Sequence, residues 1–180
     1  GHETLAKHSE NEAVDLLIAY PFLNQFEKRR GDYNIGRLML DSGAFSAWNS
    51  KTIDEISLPD YIDCCKDFEA DEYVALDVIG DGPATRKNCE IMWEAGIEAI
   101  PTFHGPNPGQ MPEPLELLDY YASVAPKVGL SVKQGDQVNW TKAALSRIWP
   151  KRVHGFALSS RANLEASPLD SVDSSSWCVG

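Results

Sequence analysis

Residues 38–48 read Leu38-Met39-Leu40-Asp41-Ser42-Gly43-Ala44-Phe45-Ser46-Ala47-Trp48. The stretch opens with three apolar residues that do not alternate with polar ones, which is typical of a parallel strand covered on both faces. Asp41 follows at the carboxyl end of that strand, where parallel α/β folds carry their chemistry. Gly43 permits a tight turn or the close approach of a ligand, and Phe45 offers a flat stacking surface. An Asp after a strand is also typical of a turn or helix cap, so Asp41 alone does not decide between the two interpretations.

Length and composition indicate one globular domain. The chain has 180 residues, of which 43% are hydrophobic and 24% charged, and this is ordinary for a soluble protein with a substantial core. We assign the domain to residues 3–180 and treat Gly1-His2 as a cloning remnant. No apolar run approaches the length of a membrane span and no secretory signal is evident, so we expect no membrane partner.

The cysteines predict neither a disulfide framework nor a zinc site, because two of the four are adjacent and none form a Cys-x-x-Cys pair: Cys64, Cys65, Cys89 and Cys178. We therefore expect no metal, no evident cofactor and a cytoplasmic location. The net charge of −11 counts against a large non-specific nucleic-acid surface, although a local basic cleft is compatible with it.

Strand and helix patterns alternate about seven times, which is the signature of βα units around a parallel sheet. The predicted strands are 14–20, 37–41, 73–77, 97–103, 127–132, 153–158 and 169–173. A repeat of about 30 residues favours a TIM-type (β/α)₈ barrel, which usually needs about 250 residues. The chain is short for that fold, so we predict an incomplete barrel of about seven units without an evident first strand or post-barrel segment.

The predicted strand ends carry a histidine and three acids, and in a barrel they converge on one face. These ends are Asp41, Asp77, His104, Gly129 and Asp173. Carboxylates held close together acquire different pKa values, which yields an acid and a base from one residue type. A carboxylate also acts as a nucleophile at a sugar carbon.

The motifs resemble those of the tRNA-guanine transglycosylase superfamily. Residues 41–46, Asp-Ser-Gly-Ala-Phe-Ser, are similar to the family's Asp-Ser-Gly-Gly-Phe-Gln. Residues 75–77, Ala-Leu-Asp, resemble its Ala-Phe-Asp strand end, and residues 128–130, Val-Gly-Leu, resemble its Gly-Gly-Leu turn. Residues 171–177, Ser-Val-Asp-Ser-Ser-Ser-Trp, fall where the family has Met-Phe-Asp. The motif sequences resemble more closely those of the phage and bacterial branch of the family, which includes DNA 7-deazaguanine transglycosylases.

The resemblance implies catalytic roles. Asp173 is the expected nucleophile at C1′, Asp41 the expected acid/base, and Asp77 the expected acceptor for the purine edge. It also implies that Phe45 stacks on the base and that the backbone of Gly129 and Leu130 meets its carbonyl; Ser42 and Gly43, from the first motif, are counted with these substrate-binding residues.

Two histidines depart from the family pattern. His104 stands where the family has Gln, and His154 falls near a Met that packs on the base. Both are expected to touch substrate, and both leave the identity of the incoming base open. The family's zinc-binding cysteines would follow the end of this chain.

The implied activity is exchange of guanine for a free 7-deazaguanine base in nucleic acid, with DNA slightly favoured over tRNA. A βα-barrel hydrolase of a small nucleoside or glycoside is an alternative that the acidic charge favours. A non-catalytic subunit is a second alternative, and an oligomer or partner subunit is compatible with the sequence. For the remaining candidates a structural role is the competing interpretation: packing for Trp48 and Trp177, and a solvated face for Lys151, Arg152 and Arg161.

Overall fold

A computed structural model describes residues 2–107 and 112–174. Its strands are β1 (Val14–Ala19), β2 (Ile35–Asp41), β3 (Glu72–Val74), β4 (Ala99–Ile100), β5 (Thr102–His104), β6 (Lys127–Ser131), β7 (Arg152–Phe156) and β8 (Ser171–Val172). Its α-helices are α1 (His2–Ser9), α2 (Leu23–Glu27), α3 (Ala44–Asn49), α4 (Leu58–Asp67), α5 (Gly82–Glu94), α6 (Leu115–Val124), α7 (Gln137–Ile148) and α8 (Arg161–Ala166). Short 3-10 turns occupy Tyr20–Phe22 and Arg30–Asp32.

All strand pairs are parallel and follow chain order, as predicted. Hydrogen bonding connects β1-β2-β3-β4 in one sheet and β5-β6-β7-β8 in another. The predicted strand 97–103 is divided into β4 and β5 at Pro101, which has no N–H to donate to a neighbouring strand. The Pro101 carbonyl still accepts a 2.8 Å bond from the Gly129 N–H, so the two sheets meet along this passage. The α/β class is confirmed.

A closed barrel is not seen. Within the described residues, neither β1 nor β8 has a strand partner on its outer side. The two edges instead line a common cavity of about 410 Å³, to which Leu17 and Val172 contribute. The described part of the chain therefore has an open edge between β1 and β8.

Several element boundaries differ from the predicted ones because side chains cap helices or bind loops. The pattern of residues 84–95 predicts a helix, but α5 begins at Gly82 because Asp81 Oδ1 accepts the Ala84 N–H at 2.9 Å. The pattern of residues 141–149 predicts another helix, but α7 begins at Gln137 because the Asp136 side chain caps it by accepting the Asn139 N–H. Strand β3 ends at Val74, three residues before the predicted end.

Side chains alternate across the sheet and form an outer and an inner apolar cluster. The outer cluster packs the sheet on the helices and includes Leu40, Tyr61 and Leu118. The inner cluster joins Met39 of β2 to Val74 and Ile100. Because Asp41 lies two residues beyond Met39, it projects on the inner face at the carboxyl end of the strands. No helix in the described part of the chain is long and apolar enough to cross a membrane.

The amino ends of the strands carry a buried ion cluster. Lys127 is 2% exposed, and its Nζ lies 3.0 Å from Glu72 Oε2 and 2.9 Å from Asp170 Oδ2. Arg152 completes the cluster with two 2.9 Å bonds to the Asp170 carboxylate. Asp170 therefore lies in an ion cluster at the far end of β8 from Asp173.

Gly129 is the point at which the inner face has no room for a side chain. A Cβ there would lie 2.5 Å from Phe156 Cε2. We expect Gly129→Ala to destabilise the fold by about 1–3 kcal/mol, because the ring or the strand must shift. Chemical denaturation measures this change. Gly31→Ala is the matched control, since a Cβ at Gly31 has no atom within 4 Å; equal stability of the two variants would contradict the packing of Phe156 over Gly129.

Candidate functional site

The carboxyl ends of the strands surround a cavity of about 460 Å³. Six of the ten predicted site residues line it: Asp41, Ser42, Phe45, Asp77, His104 and Asp173. They come from β2, the turn after β2, helix α3, the loop after β3, strand β5, and the residue after β8. The alternation of strands and helices thus brings residues up to 132 positions apart to one mouth.

Four predicted residues do not line this cavity. Gly129 and Leu130 lie in the ladder of β6, paired with Thr102 and Phe103, so their backbone serves the sheet. Gly43 adopts φ 76° before α3, and its N–H donates to Asp41 Oδ2 at 3.2 Å. His154 lies on the inner face of β7, behind Asp173, and lines the cavity between β1 and β8 instead.

Asp41 is the carboxylate whose protonated form is favoured. Burial raises its pKa to about 6, and the negative charges of Asp77 and Asp173 add to the shift, while the Gly43 N–H opposes it. A group with a pKa near the operating pH exchanges protons well in both directions. Asp41 is therefore suited to act as an acid and then as a base.

Asp173 is the carboxylate whose ionised form is favoured. Burial alone would raise its pKa, but His154 and the Ala157 N–H outweigh burial and lower it. The Ala157 N–H donates to Oδ1 at 2.8 Å, and His154 Nε2 lies 3.5 Å from the same oxygen. Ala157 has φ 54°, a left-handed conformation that costs a non-glycine residue energy and aims this N–H at the carboxylate. The Ala157 N–H and His154 Nε2 thus contact Oδ1 of Asp173, a carboxylate that also lines the cavity.

Asp77 is held by two side chains. Thr85 Oγ1 donates to Oδ1 at 2.9 Å, and His104 Nε2 lies 2.5 Å from Oδ2. Burial lowers the pKa of His104, but the bond to Asp77 and the charges of Asp77 and Glu113 outweigh burial, so the net shift is upward. A carboxylate offers about four acceptor positions, so Asp77 retains acceptor capacity beside these two partners.

The rim of the cavity carries aromatic rings and one cation. Phe45 and Trp48 are 48% and 62% exposed, and their ring centroids lie 6.0 Å apart. Lys133 Nζ lies 3.4 Å from the Phe45 centroid. Trp48 is therefore not a core residue, which excludes the packing interpretation for it.

Sequence reasoning missed several residues of the site. Lys133 stands two residues beyond β6, a strand-end position like those of the predicted acids, and this signal was available. Asn107 lines the cavity, and its buried Oδ1 has no hydrogen-bond partner among the described residues. Thr85 binds Asp77, and the Ala157 N–H binds Asp173. No sequence motif predicts either contact.

The other sequence candidates lie elsewhere. Lys151 donates to the Ala125 carbonyl, Arg152 joins the ion cluster, and Arg161 pairs with Glu165. Trp177 and Cys178 fall outside the described residues, and Cys64, Cys65 and Cys89 are free thiols. Within residues 2–107 and 112–174, no group of three or more His, Cys, Asp or Glu side chains is arranged to hold a metal ion.

Comparisons with known proteins returned nothing that bears on this site. No protein-family model matches the chain, and no curated protein or solved structure matches it significantly. The resemblance to transglycosylases therefore remains a prediction from the motifs.

Replacing either Asp41 or Asp173 with neutral Asn should change the free energy of unfolding, but in opposite directions. The pKa of Asp41 is higher in the folded chain than its ordinary value. The stability of the fold should therefore fall as pH rises from about 4 to about 6, because Asp41 must ionise in a buried place. Above pH 6 the cost of burying this charge remains. Asp41→Asn should therefore raise the free energy of unfolding at pH 8 by up to about 3 kcal/mol, and change it little at pH 4. Asp173→Asn should lower it at pH 8, because the folded chain favours the ionised form.

Urea denaturation of both variants and the wild type at the two pH values measures these changes. The assignment of environments fails if Asp41→Asn and Asp173→Asn destabilise the chain equally at pH 8.

Proposed function

We propose that this chain is a transglycosylase that exchanges guanine for a free 7-deazaguanine base in nucleic acid, in the cytoplasm, on a TIM-type barrel with one strand position unfilled. The observation that carries the proposal is the pair of carboxylates with opposite pKa shifts at one cavity, Asp41 raised and Asp173 lowered. An ionised carboxylate serves as a nucleophile, and its neighbour serves as a proton carrier.

In the first half-reaction, Asp173 attacks C1′ of the nucleotide. Because Oδ1 is occupied by the Ala157 N–H, the attacking atom is Oδ2. The bond from C1′ to N9 of guanine breaks, and the electron pair leaves with N9. Protonated Asp41 supplies a proton to the departing base, and Asp173 is left esterified to the sugar.

In the second half-reaction Asp41 acts as a base and activates the incoming 7-deazaguanine. Asp41, now ionised, takes the proton from the ring nitrogen of the incoming base. That nitrogen attacks C1′ and displaces Asp173, which regains its charge. The exchange transfers no electrons, so it requires neither a redox cofactor nor an external energy source.

Recognition of the purine falls to the groups beside these carboxylates. Asp77 has acceptor capacity for the N1–H and N2–H donors of guanine, and Phe45 offers a ring for stacking. His104, bound to Asp77, is the group that distinguishes this site from the Gln of the family pattern. DNA remains slightly favoured over tRNA, on the motif resemblance to the phage and bacterial branch alone.

Hydrolysis is the competing function, and the net charge of −11 favours it because it disfavours a polyanionic substrate. The same carboxylates would then transfer the sugar to water rather than to a base. The products separate the two: incorporation of labelled guanine into polymer supports exchange, and release of free base from nucleosides supports hydrolysis.

The nucleophile is tested by trapping the covalent intermediate. Asp173→Asn should fold, abolish exchange and lose the protein–polynucleotide adduct on denaturing gels, because a neutral amide is a poor nucleophile. Asp41→Asn should slow exchange by about 10²–10⁴-fold without preventing adduct formation. Asp63→Asn, on the exposed face of α4, is the matched control and should behave as wild type.

An adduct at wild-type yield from Asp173→Asn would refute the assignment. Asp170, three residues before Asp173, is then a poor replacement, since Lys127 and Arg152 bind both of its oxygens. A wild-type chain that neither exchanges nor hydrolyses would favour the non-catalytic subunit.

Purine recognition gives a separate test. Asp77→Asn replaces one acceptor oxygen with a donor and should weaken guanine binding by about 2–3 kcal/mol through an unpaired buried group. Calorimetry on the folded variant measures the loss. Thr85→Ser keeps the hydroxyl that donates to Asp77 and should bind guanine as wild type does; unchanged affinity in Asp77→Asn would remove Asp77 from the base site.

A further inference from the structure

The rim of the cavity carries two large aromatic side chains that the proposed chemistry does not both need. Phe45 and Trp48 lie one turn apart on α3, and both line the cavity. Trp48 extends beyond Phe45 and keeps 62% of its surface exposed. Exposed aromatic pairs beside a binding cavity are typical of stacking surfaces for nucleobases.

A cation faces the same ring pair. Lys133 is the one Lys or Arg among the described residues that line the cavity. Its ammonium lies over the Phe45 ring, and the negative charge of Asp173 also acts on it. Lys133 therefore places one positive charge at the Phe45 ring, within electrostatic range of the proposed nucleophile.

The size of the cavity limits what it can hold. At about 460 Å³ it lies toward the small end of ligand sites, which span about 300–1,000 Å³. It therefore suits one nucleotide-sized group, and any neighbouring nucleotide of a polymer must lie on the rim.

We propose that Trp48 and Lys133 form a subsite for the nucleotide next to the reacting one in a single-stranded polynucleotide. This inference rests on the proposed function. The neighbouring base stacks on the exposed indole, and the phosphate that joins the two nucleotides takes the Lys133 ammonium from the face of Phe45. That face is then free for the base that enters the cavity.

The subsite also explains how a chain of net charge −11 holds a polyanion. Stacking does not depend on net charge and tolerates any base, whereas an interface built on many phosphate contacts needs many cations. With a single phosphate contact, log affinity should fall with log salt with a slope of only about −0.7. Between 50 and 200 mM salt this is roughly a threefold loss of affinity.

The test compares ligands with and without a neighbouring nucleotide. The ligands are a labelled single-stranded oligothymidylate that contains one guanine, its duplex, and guanosine monophosphate. Binding is measured by fluorescence anisotropy for the oligonucleotides and by calorimetry for the mononucleotide. The background is Asp173→Asn, in which the adduct cannot form.

Trp48→Ala should weaken oligonucleotide binding roughly 5- to 150-fold and leave mononucleotide binding within about twofold. Lys133→Gln should bring the salt slope close to zero. Trp149→Ala is the matched control, because Trp149 is 66% exposed after α7 and does not line the cavity; Lys142→Gln, also on α7, is the control for charge.

The subsite is overturned if Trp48→Ala and Trp149→Ala bind the oligonucleotide equally, if the mononucleotide loses as much affinity as the oligonucleotide, or if duplex binds as tightly as single strand. Its failure is distinguishable from failure of the proposed function. If the chain exchanges bases but Trp48→Ala does not weaken oligonucleotide binding, only the subsite is refuted. If Trp48→Ala weakens binding but the wild type does not exchange bases, only the transglycosylase proposal is refuted.

Discussion

The buried ammonium of Lys127 joins parts of the sheet that no backbone bond connects. Its three N–H groups meet three acceptors: Glu72 on β3, Asp170 just before β8, and Ser171 within β8. Strand β6, which carries Lys127, pairs with neither β3 nor β8. A buried charge is tolerated only when it is fully paired, so these strands must curve toward one another. The cluster thus holds these strands together at the end of the sheet opposite the cavity.

The same ammonium is connected to the proposed nucleophile through two side chains. Lys127 donates to Ser171 Oγ at 2.8 Å, and Ser171 Oγ lies 2.9 Å from His154 Nδ1. Because Oγ already accepts from Lys127, its own proton can go to Nδ1, which leaves the imidazole proton on Nε2. Nε2 faces Asp173 at 3.5 Å, longer than a normal hydrogen bond, so the contact is mainly electrostatic. The interior thus favours a negative charge on Asp173, and His154 contributes to it from behind the cavity.

The sequence predicted what depends on local patterns and missed what depends on register. Apolar runs and strand–helix alternation sufficed to predict the parallel order and to gather Asp41, Asp77 and Asp173 at one cavity, because strand ends share an edge in any such fold. Gly129 does not line the cavity, and the sequence could not say so, because a missing side chain looks the same whether a ligand or, as here, the Phe156 ring fills the space. The position of His154 behind Asp173 depends on which residues of β7 and β8 lie side by side, and no motif encodes that pairing. The alternation alone does not show where the sheet is open, and only the length of the chain led us to expect an incomplete barrel.

Asp170 and Asp173 show why position on a strand, rather than residue type, decides the chemistry. Both have a lowered pKa, and they lie three residues apart. Asp170 has both oxygens bound by cations, so it is stable and unreactive at the amino end of β8. Asp173 has Oδ1 held by the Ala157 N–H, on a backbone in a left-handed conformation, and faces the cavity. Asp41, across the mouth, has no ion pair with a cation among the described residues, and burial raises its pKa to about 6. One edge of the sheet therefore pairs its acids with cations, while at the other edge Asp41 is buried at a cost in stability and Asp173 is held ionised by an N–H group and a histidine.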